Sequence, residues 1–167
     1  LGLRVSDEKV IKIVEDVLLN DINPDLVNTI SSFNAVAEPV TARNKNGILK
    51  VTKAINPNLG FVADPEEIDD KKLNSIINSN KVPVIAPMGL GENNQVYNIN
   101  ADTAAGTIAI KIKAERLLLM TDVPGVKDKK GSYISKLTIL EAQKLIDNQT
   151  ITGGMIPKIQ TCISAIK

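Results

Sequence analysis

Apolar residues recur along the chain with more than one period, and each change of period marks a change of element. From Ser6 the reading is helical, with Val10, Ile13, Val14, Val17 and Leu18 on one stripe. Ser6 stands at the N-cap, and Asp7 and Glu8 fill the first turn, where negative charge suits the helix dipole. Asn23-Pro24 opens a second short helix to about Phe33, with proline at the first helical position, where no backbone N–H is needed. Residues 35–54 read as strand material around Asn46-Gly47, a pair that favours the tight turn of a hairpin. A further helix covers 69–78, with Leu73, Ile76 and Ile77 inward.

The second half is more regular. Residues 82–88 form a short apolar run suited to a strand buried on both faces. Residues 101–114 predict a helix rich in small side chains, able to lie close on a sheet. Residues 116–121 (RLLLMT) predict a second buried strand. Together they imply a strand–helix–strand unit with a right-handed crossover between parallel neighbours. Thr138 and Glu141 form a capping box for a helix over 138–147, and Gly153-Gly154 leads into a last helix near Pro157. The alternation implies an α/β fold with a mainly parallel sheet. No repeat, low-complexity tract or flexible linker interrupts it. The sequence opens at Leu1 without Met and stops at Lys167 within a helical pattern, so both ends are expected to be cut.

Composition narrows the chemistry. A chain of 167 residues fits one compact domain or most of a larger one, and its core must be aliphatic, because only 2% of the residues are aromatic. Twenty basic residues against nineteen acidic ones, a net charge of +1, give no electrostatic case for nucleic acid or an anionic membrane. No stretch approaches the ~20 apolar residues of a membrane span, and the start does not resemble a signal peptide. A cytoplasmic location is expected. Histidine is absent and Cys162 is the single cysteine. An intrachain disulfide, zinc sites of His and Cys, and Ser–His–Asp or Cys–His catalysis are therefore excluded within these residues. Lys, Arg, Asp, Glu and backbone amides remain, with or without a metal ion, which is the equipment of phosphoryl transfer.

Ligands of open α/β sheets sit beyond the carboxyl ends of the strands, where three segments of this chain would converge. They are 97–102 (YNINAD), 121–126 (TDVPGV) and 150–158 (TITGGMIPK). Each also has an ordinary explanation. Asn100 and Asp102 could cap a helix, Thr121-Asp122 could be a polar strand exit with Pro124-Gly125 as its turn, and Gly153-Gly154 could be a connector with Lys158 a solvated lysine. Glycines before a helix nonetheless leave N–H groups free to face an anion, and a lysine in the next turn adds a point charge there.

In this order and at these separations, NINADTAAG, LLLMTDVPGV and TITGGMIPK closely resemble the amino acid kinase family, and within it the N-acetylglutamate kinase branch. The likeness extends to GLRVSDE at 2–8, LGFV at 59–62 and VPVIAP at 82–87, and so covers nearly the whole chain. It implies that fold, a three-layer sandwich with a mainly parallel central sheet, incomplete here. Residues 1–113 would belong to the lobe for the amino-acid substrate and dimerisation, and 114–167 to the nucleotide lobe. The resemblance implies that Arg4 clamps the carboxylate of N-acetyl-L-glutamate, as a planar guanidinium can, and that Asn98 also holds this substrate. Asp102 would orient the catalytic lysines, and Lys158 would stabilise the transferring phosphoryl group. Thr121, Asp122, Val123, Pro124, Gly125 and Val126, with Thr150, Ile151 and Thr152, would border the nucleotide. The implied reaction moves the γ-phosphoryl of ATP, with Mg2+ carried by the nucleotide, to the side-chain carboxylate of acetylglutamate, in a homo-oligomer built on dimers.

The sequence also departs from the family pattern. A strand ending in Lys-Gly-Gly and a second glycine-rich strand end, which hold the β- and γ-phosphates, do not occur in these residues, nor do the C-terminal strands. The match is poor over 33–54, where Glu38 to Arg43 replace a region that is usually richer in glycine. The competing readings are a sister kinase acting on carrier-bound aminoadipate and a truncated ligand-binding module without catalysis. An upstream Lys-Gly-Gly strand end would favour an enzyme.

Overall fold

The structure, a computed structural model, describes residues 5–43, 47–51 and 56–166. Helix α1 (Glu8–Asp16) passes through a π-helical turn (Val17–Ile22) into α2 (Asn23–Ser32). Strands β1 (Ala37–Val40), β2 (Leu49–Lys50) and β3 (Glu67–Ile68) follow, then α3 (Asp70–Asn78). Next come β4 (Val82–Ile85), β5 (Met88–Leu90), β6 (Val96–Asn98), α4 (Ala101–Ile112), α5 (Ile139–Asp147) and α6 (Met155–Ile166). The chain divides into two compact units, with the boundary between Ala104 and Ala105 inside α4.

In the first unit, the cap of α1 is Asp7 rather than Ser6. The Asp7 carboxylate accepts from the N–H groups of Lys9 (2.9 Å) and Val10 (2.8 Å). Ser6 is buried, its backbone bonded to Leu59 and Phe61, and so is committed elsewhere. The apolar stripe of α1 proves to be two adjacent ones. Ile11, Val14, Leu18 and Leu19 pack with Ala42, Met88 and Val96, whereas Val10, Ile13 and Val17 stay exposed. In α3, Leu73 and Ile76 are buried as the period predicts, and Ile77 is exposed.

The strands form a parallel β1–β4 pair and a mixed four-stranded sheet in the order β3-β2-β5-β6. These are smaller and more mixed than the mainly parallel sheet expected from the sequence. Among the described residues, the flanks of Asn46-Gly47 do not pair as the expected hairpin, because β1 and β2 lie in different sheets. Asn46 is outside the described residues, and a Cβ on Gly47 would lie 2.6 Å from the Ala42 carbonyl oxygen. The apolar run 82–88 is broken as well. Pro87 has no N–H to donate and the Met88 N–H turns back onto Ala86 O (2.8 Å), so β4 joins β1 while β5 joins β2 and β6.

In the second unit, 116–121 is not a strand and pairs with no element among the described residues. Leu117 and Leu119 are half-buried, but Leu118 and Met120 are 79% and 91% exposed. An apolar run shows that a segment could join a sheet, whereas a ladder also needs a neighbour to receive its N–H and C=O groups. The expected parallel pairing of 82–88 with 116–121 is therefore not observed. The small residues of α4 serve a helix rather than a sheet: a Cβ on Gly106 would lie 2.4 Å from Thr161 Cγ2 of α6. Helix α5 has the predicted capping box, in which the Thr138 hydroxyl accepts from Glu141 N–H and the Glu141 carboxylate accepts from Thr138 N–H. The bonds that this carboxylate accepts from the Thr138 N–H and from the Thr138 hydroxyl (2.8 Å each) hold the Glu141 carboxyl below its ordinary pKa.

Candidate functional site

The candidate residues fall in two groups, one in each unit. The first is built by three segments far apart in sequence. Ser6 forms a parallel bridge to Gly60, and Val62 a parallel bridge to Asn98. Ser6 donates to Leu59 O (2.9 Å) and its carbonyl accepts from Phe61 N–H (2.7 Å). Asn98 donates to Phe61 O (2.9 Å) and accepts from Ala63 N–H (3.0 Å). The rings of Phe61 and Tyr97 meet at 5.9 Å between centroids. Arg4 lies outside the described residues, two positions before the anchored Ser6.

Gly60 makes this junction possible. Its φ is +68°, and a Cβ there would lie 2.3 Å from the Ser6 carbonyl oxygen, a backbone atom that no rotamer change can move aside. Gly60→Ala is expected to destabilise the fold by about 2 kcal/mol or more, through the positive φ and the displaced segment. Denaturant unfolding of the complete protein checks this, and an unchanged midpoint would contradict it.

Asn98 ends β6 half-buried, and the next residue, Ile99, is buried with its N–H on Pro87 O (3.0 Å). Asn100 caps α4, its Oδ1 accepting from Thr103 N–H (3.1 Å), so the ordinary explanation accounts for that residue. Asp102 stands half-buried in the first turn of the same helix.

The second group surrounds a cavity of about 260 Å³ lined by Val123, Gly125, Val126, Lys127, Tyr133, Thr150, Ile151, Thr152 and Met155. Two segments proposed to border the nucleotide thus meet at one concavity. Thr121 and Asp122 are exposed and Pro124 is not among the lining residues. The lining residues Lys127 and Tyr133 flank a turn organised by Asp128, whose carboxylate accepts from the N–H groups of Lys130 (2.8 Å) and Ser132 (2.9 Å). The flanks of that turn pair antiparallel at Lys127 and Tyr133, and Ile134 N–H reaches Val126 O (2.8 Å). The lining residues Thr150, Ile151 and Thr152 follow α5, where the N–H groups of Thr150 and Ile151 both turn back onto Leu145 O (2.9 Å each) and bury Ile151.

Past this wall the chain opens. Gly153, with φ +57°, and Gly154 are exposed, and a Cβ on either would meet nothing within 4 Å. They precede the N-terminus of α6, which begins at Met155, two residues before the expected Pro157. Lys158 is half-buried one turn into this helix. At the start of α6 the N–H groups of Met155 and Ile156 already donate to Thr152 O (3.3 Å) and Gly153 O (3.2 Å) and Pro157 has none, so what favours an anion there is the partial positive charge of the helix end, while the cavity beside it is chiefly apolar. Met155 lies within the TITGGMIPK segment, whereas Lys127 and Tyr133 escape a reading of the sequence. Lys127 directly follows the TDVPGV motif, and Tyr133 is one of only two tyrosines, but only the Asp128 turn shows that they meet. Asp102 belongs to the first unit and Lys158 to the second.

The model of the amino acid kinase family matches residues 4–167. Among curated proteins, the acetylglutamate kinase of Pelagibacter ubique is 46% identical over 162 residues, which is 97% of this chain and 55% of that protein. The acetylglutamate kinase of Bartonella bacilliformis is 46% identical over 177 residues, 99% of this chain and 59% of that protein. The chain thus spans somewhat more than half the length of these relatives. Among solved structures, smu.665 from Streptococcus mutans UA159 superposes with a TM-score of 0.90 at 27% identity, covering 99% of this chain and 66% of that one.

Proposed function

Because this chain belongs to the amino acid kinase family, we propose that the complete protein is an acetylglutamate kinase. It transfers the γ-phosphoryl of Mg-ATP to the side-chain carboxylate of N-acetyl-L-glutamate. A carboxylate oxygen attacks the γ-phosphorus, the bond to the β–γ bridging oxygen breaks, and acetylglutamyl phosphate and ADP are formed.

The observation that carries this reading is the double bridge Ser6–Gly60 and Val62–Asn98. It brings the three segments of the amino-acid-side resemblance together, although nothing local in the sequence requires them to meet. The acetylglutamate kinases that match at 46% identity support the same substrate. In this proposal Arg4 and Asn98 hold acetylglutamate, and the nucleotide is bordered by 121–126 and 150–152. Asp102 orients lysines, and Lys158 neutralises the charge that develops on the transferring phosphoryl group. Residues 1–113 serve the amino-acid lobe and 114–167 the nucleotide lobe of a three-layer sandwich with a mainly parallel sheet, in a cytoplasmic homo-oligomer.

Arg4 gives the sharpest test of the substrate. Arg4→Lys keeps the charge and loses the planar two-point fork, so acetylglutamate affinity in the complete protein should fall about 10-fold or more while ADP affinity stays within about 2-fold. Titration calorimetry with each ligand separates the two. Equal losses for both, or no loss for acetylglutamate, would contradict the assignment.

A further inference from the structure

The cavity of the second unit contains a residue pair that the resemblance does not assign. Tyr133 contributes its ring to the wall, is 51% exposed, and carries the Lys127 ammonium 5.0 Å from its centroid. The antiparallel bridge between the two residues fixes them opposite each other, and the Asp128 carboxylate fixes the turn beyond. The ring also lies against the motif loop, since a Cβ on Gly125 would be 4.0 Å from Tyr133 Cδ1.

What fits such a cavity follows from its chemistry. Its walls are Val123, Val126, Ile151 and the Tyr133 ring, with the hydroxyl-bearing Thr150 and Thr152 on one side. Its one cationic lining residue, Lys127, is placed over an aromatic face. That is a poor receptor for a triphosphate and a good one for a flat heteroaromatic ring, which gains from apolar walls, an aromatic neighbour and a few polar edges. The positive end of the α6 dipole lies beside it, behind the exposed Gly153-Gly154.

We propose that Tyr133, backed by Lys127, is a base-recognition wall of the nucleotide site and determines how tightly the purine is held. The inference rests on the kinase reading of this cavity and extends it to residues outside the family motifs. Tyr133 acts on the base alone and not on the phosphates, which makes the two separable.

The test uses the complete protein with ADP and inorganic tripolyphosphate as probes, by titration calorimetry. Tyr133→Ala should weaken ADP about 10-fold, the order expected for losing one aromatic–base contact, and leave tripolyphosphate within about 2-fold. Tyr133→Phe, which keeps the ring, should bind ADP like the parent, and Lys127→Met should lose about 2- to 3-fold through the weaker cation–π support. Unchanged ADP affinity in Tyr133→Ala, or an equal loss for tripolyphosphate, overturns the base-wall role while leaving the kinase reading intact. A parent protein that binds tripolyphosphate but not ADP overturns both.

Discussion

Lys158→Ala in the complete protein is expected to lower kcat by about 100- to 1,000-fold, with the KM for acetylglutamate within about 3-fold of the parent. The lysine stands half-buried one turn into α6, behind the exposed Gly153-Gly154 pair. In the role proposed for it, this charge would meet the γ-phosphoryl most strongly as charge spreads over its oxygens and the bond to ADP lengthens. The interaction is therefore largest in the transition state, and its loss falls on kcat. Steady-state kinetics decide the matter. An unchanged kcat, or a loss carried wholly by KM, would show that Lys158 only helps to bind a substrate or to hold the helix.

A polypeptide limited to residues 1–167 is expected to show no measurable acetylglutamate-dependent ADP release. The matching acetylglutamate kinases extend well beyond the part aligned here, since the alignments cover 55% and 59% of them. The family's Lys-Gly-Gly strand end, which grips the β- and γ-phosphates, does not occur in these residues. Removing a single comparable donor commonly costs about 100-fold or more in rate, and here a whole set is involved. The 116–121 run should also make this polypeptide prone to association, because Leu118 and Met120 are exposed and the run forms no ladder among the described residues. Robust turnover by residues 1–167 would place the phosphate-gripping groups within this segment and overturn the assignment.

How much was legible depended on how local the cause was. The Thr138–Glu141 capping box and the α3 stripe at Leu73 and Ile76 are set within one or two turns, and the structure has both. Ser6 shows the limit. It is as good a cap residue as Asp7, and only its bonds to Leu59 and Phe61, over fifty residues away, decide between them. The same holds for Asn46-Gly47, whose turn signal does not specify strand partners, and for 116–121, whose apolar pattern does not supply a neighbour. The π-helical turn at Val17–Ile22 left no mark in the periodicity.

The candidate site was legible mainly as motifs. Their order in the sequence pointed to 121–126 and 150–152, most of which line one cavity. Tyr133 and Lys127 were not legible because neither sits in a motif. They reach the cavity wall through the turn that the Asp128 carboxylate closes.

The most direct test of the central claim is to trap the product. The complete protein, given Mg-ATP, N-acetyl-L-glutamate and hydroxylamine, should form one acyl hydroxamate per ADP released, because an acyl phosphate is intercepted by the amine. Neither product should accumulate when acetylglutamate is replaced by glutamate or by carrier-bound aminoadipate. ADP release indifferent to acetylglutamate, or hydroxamate formed only from the carrier-bound substrate, would contradict the account.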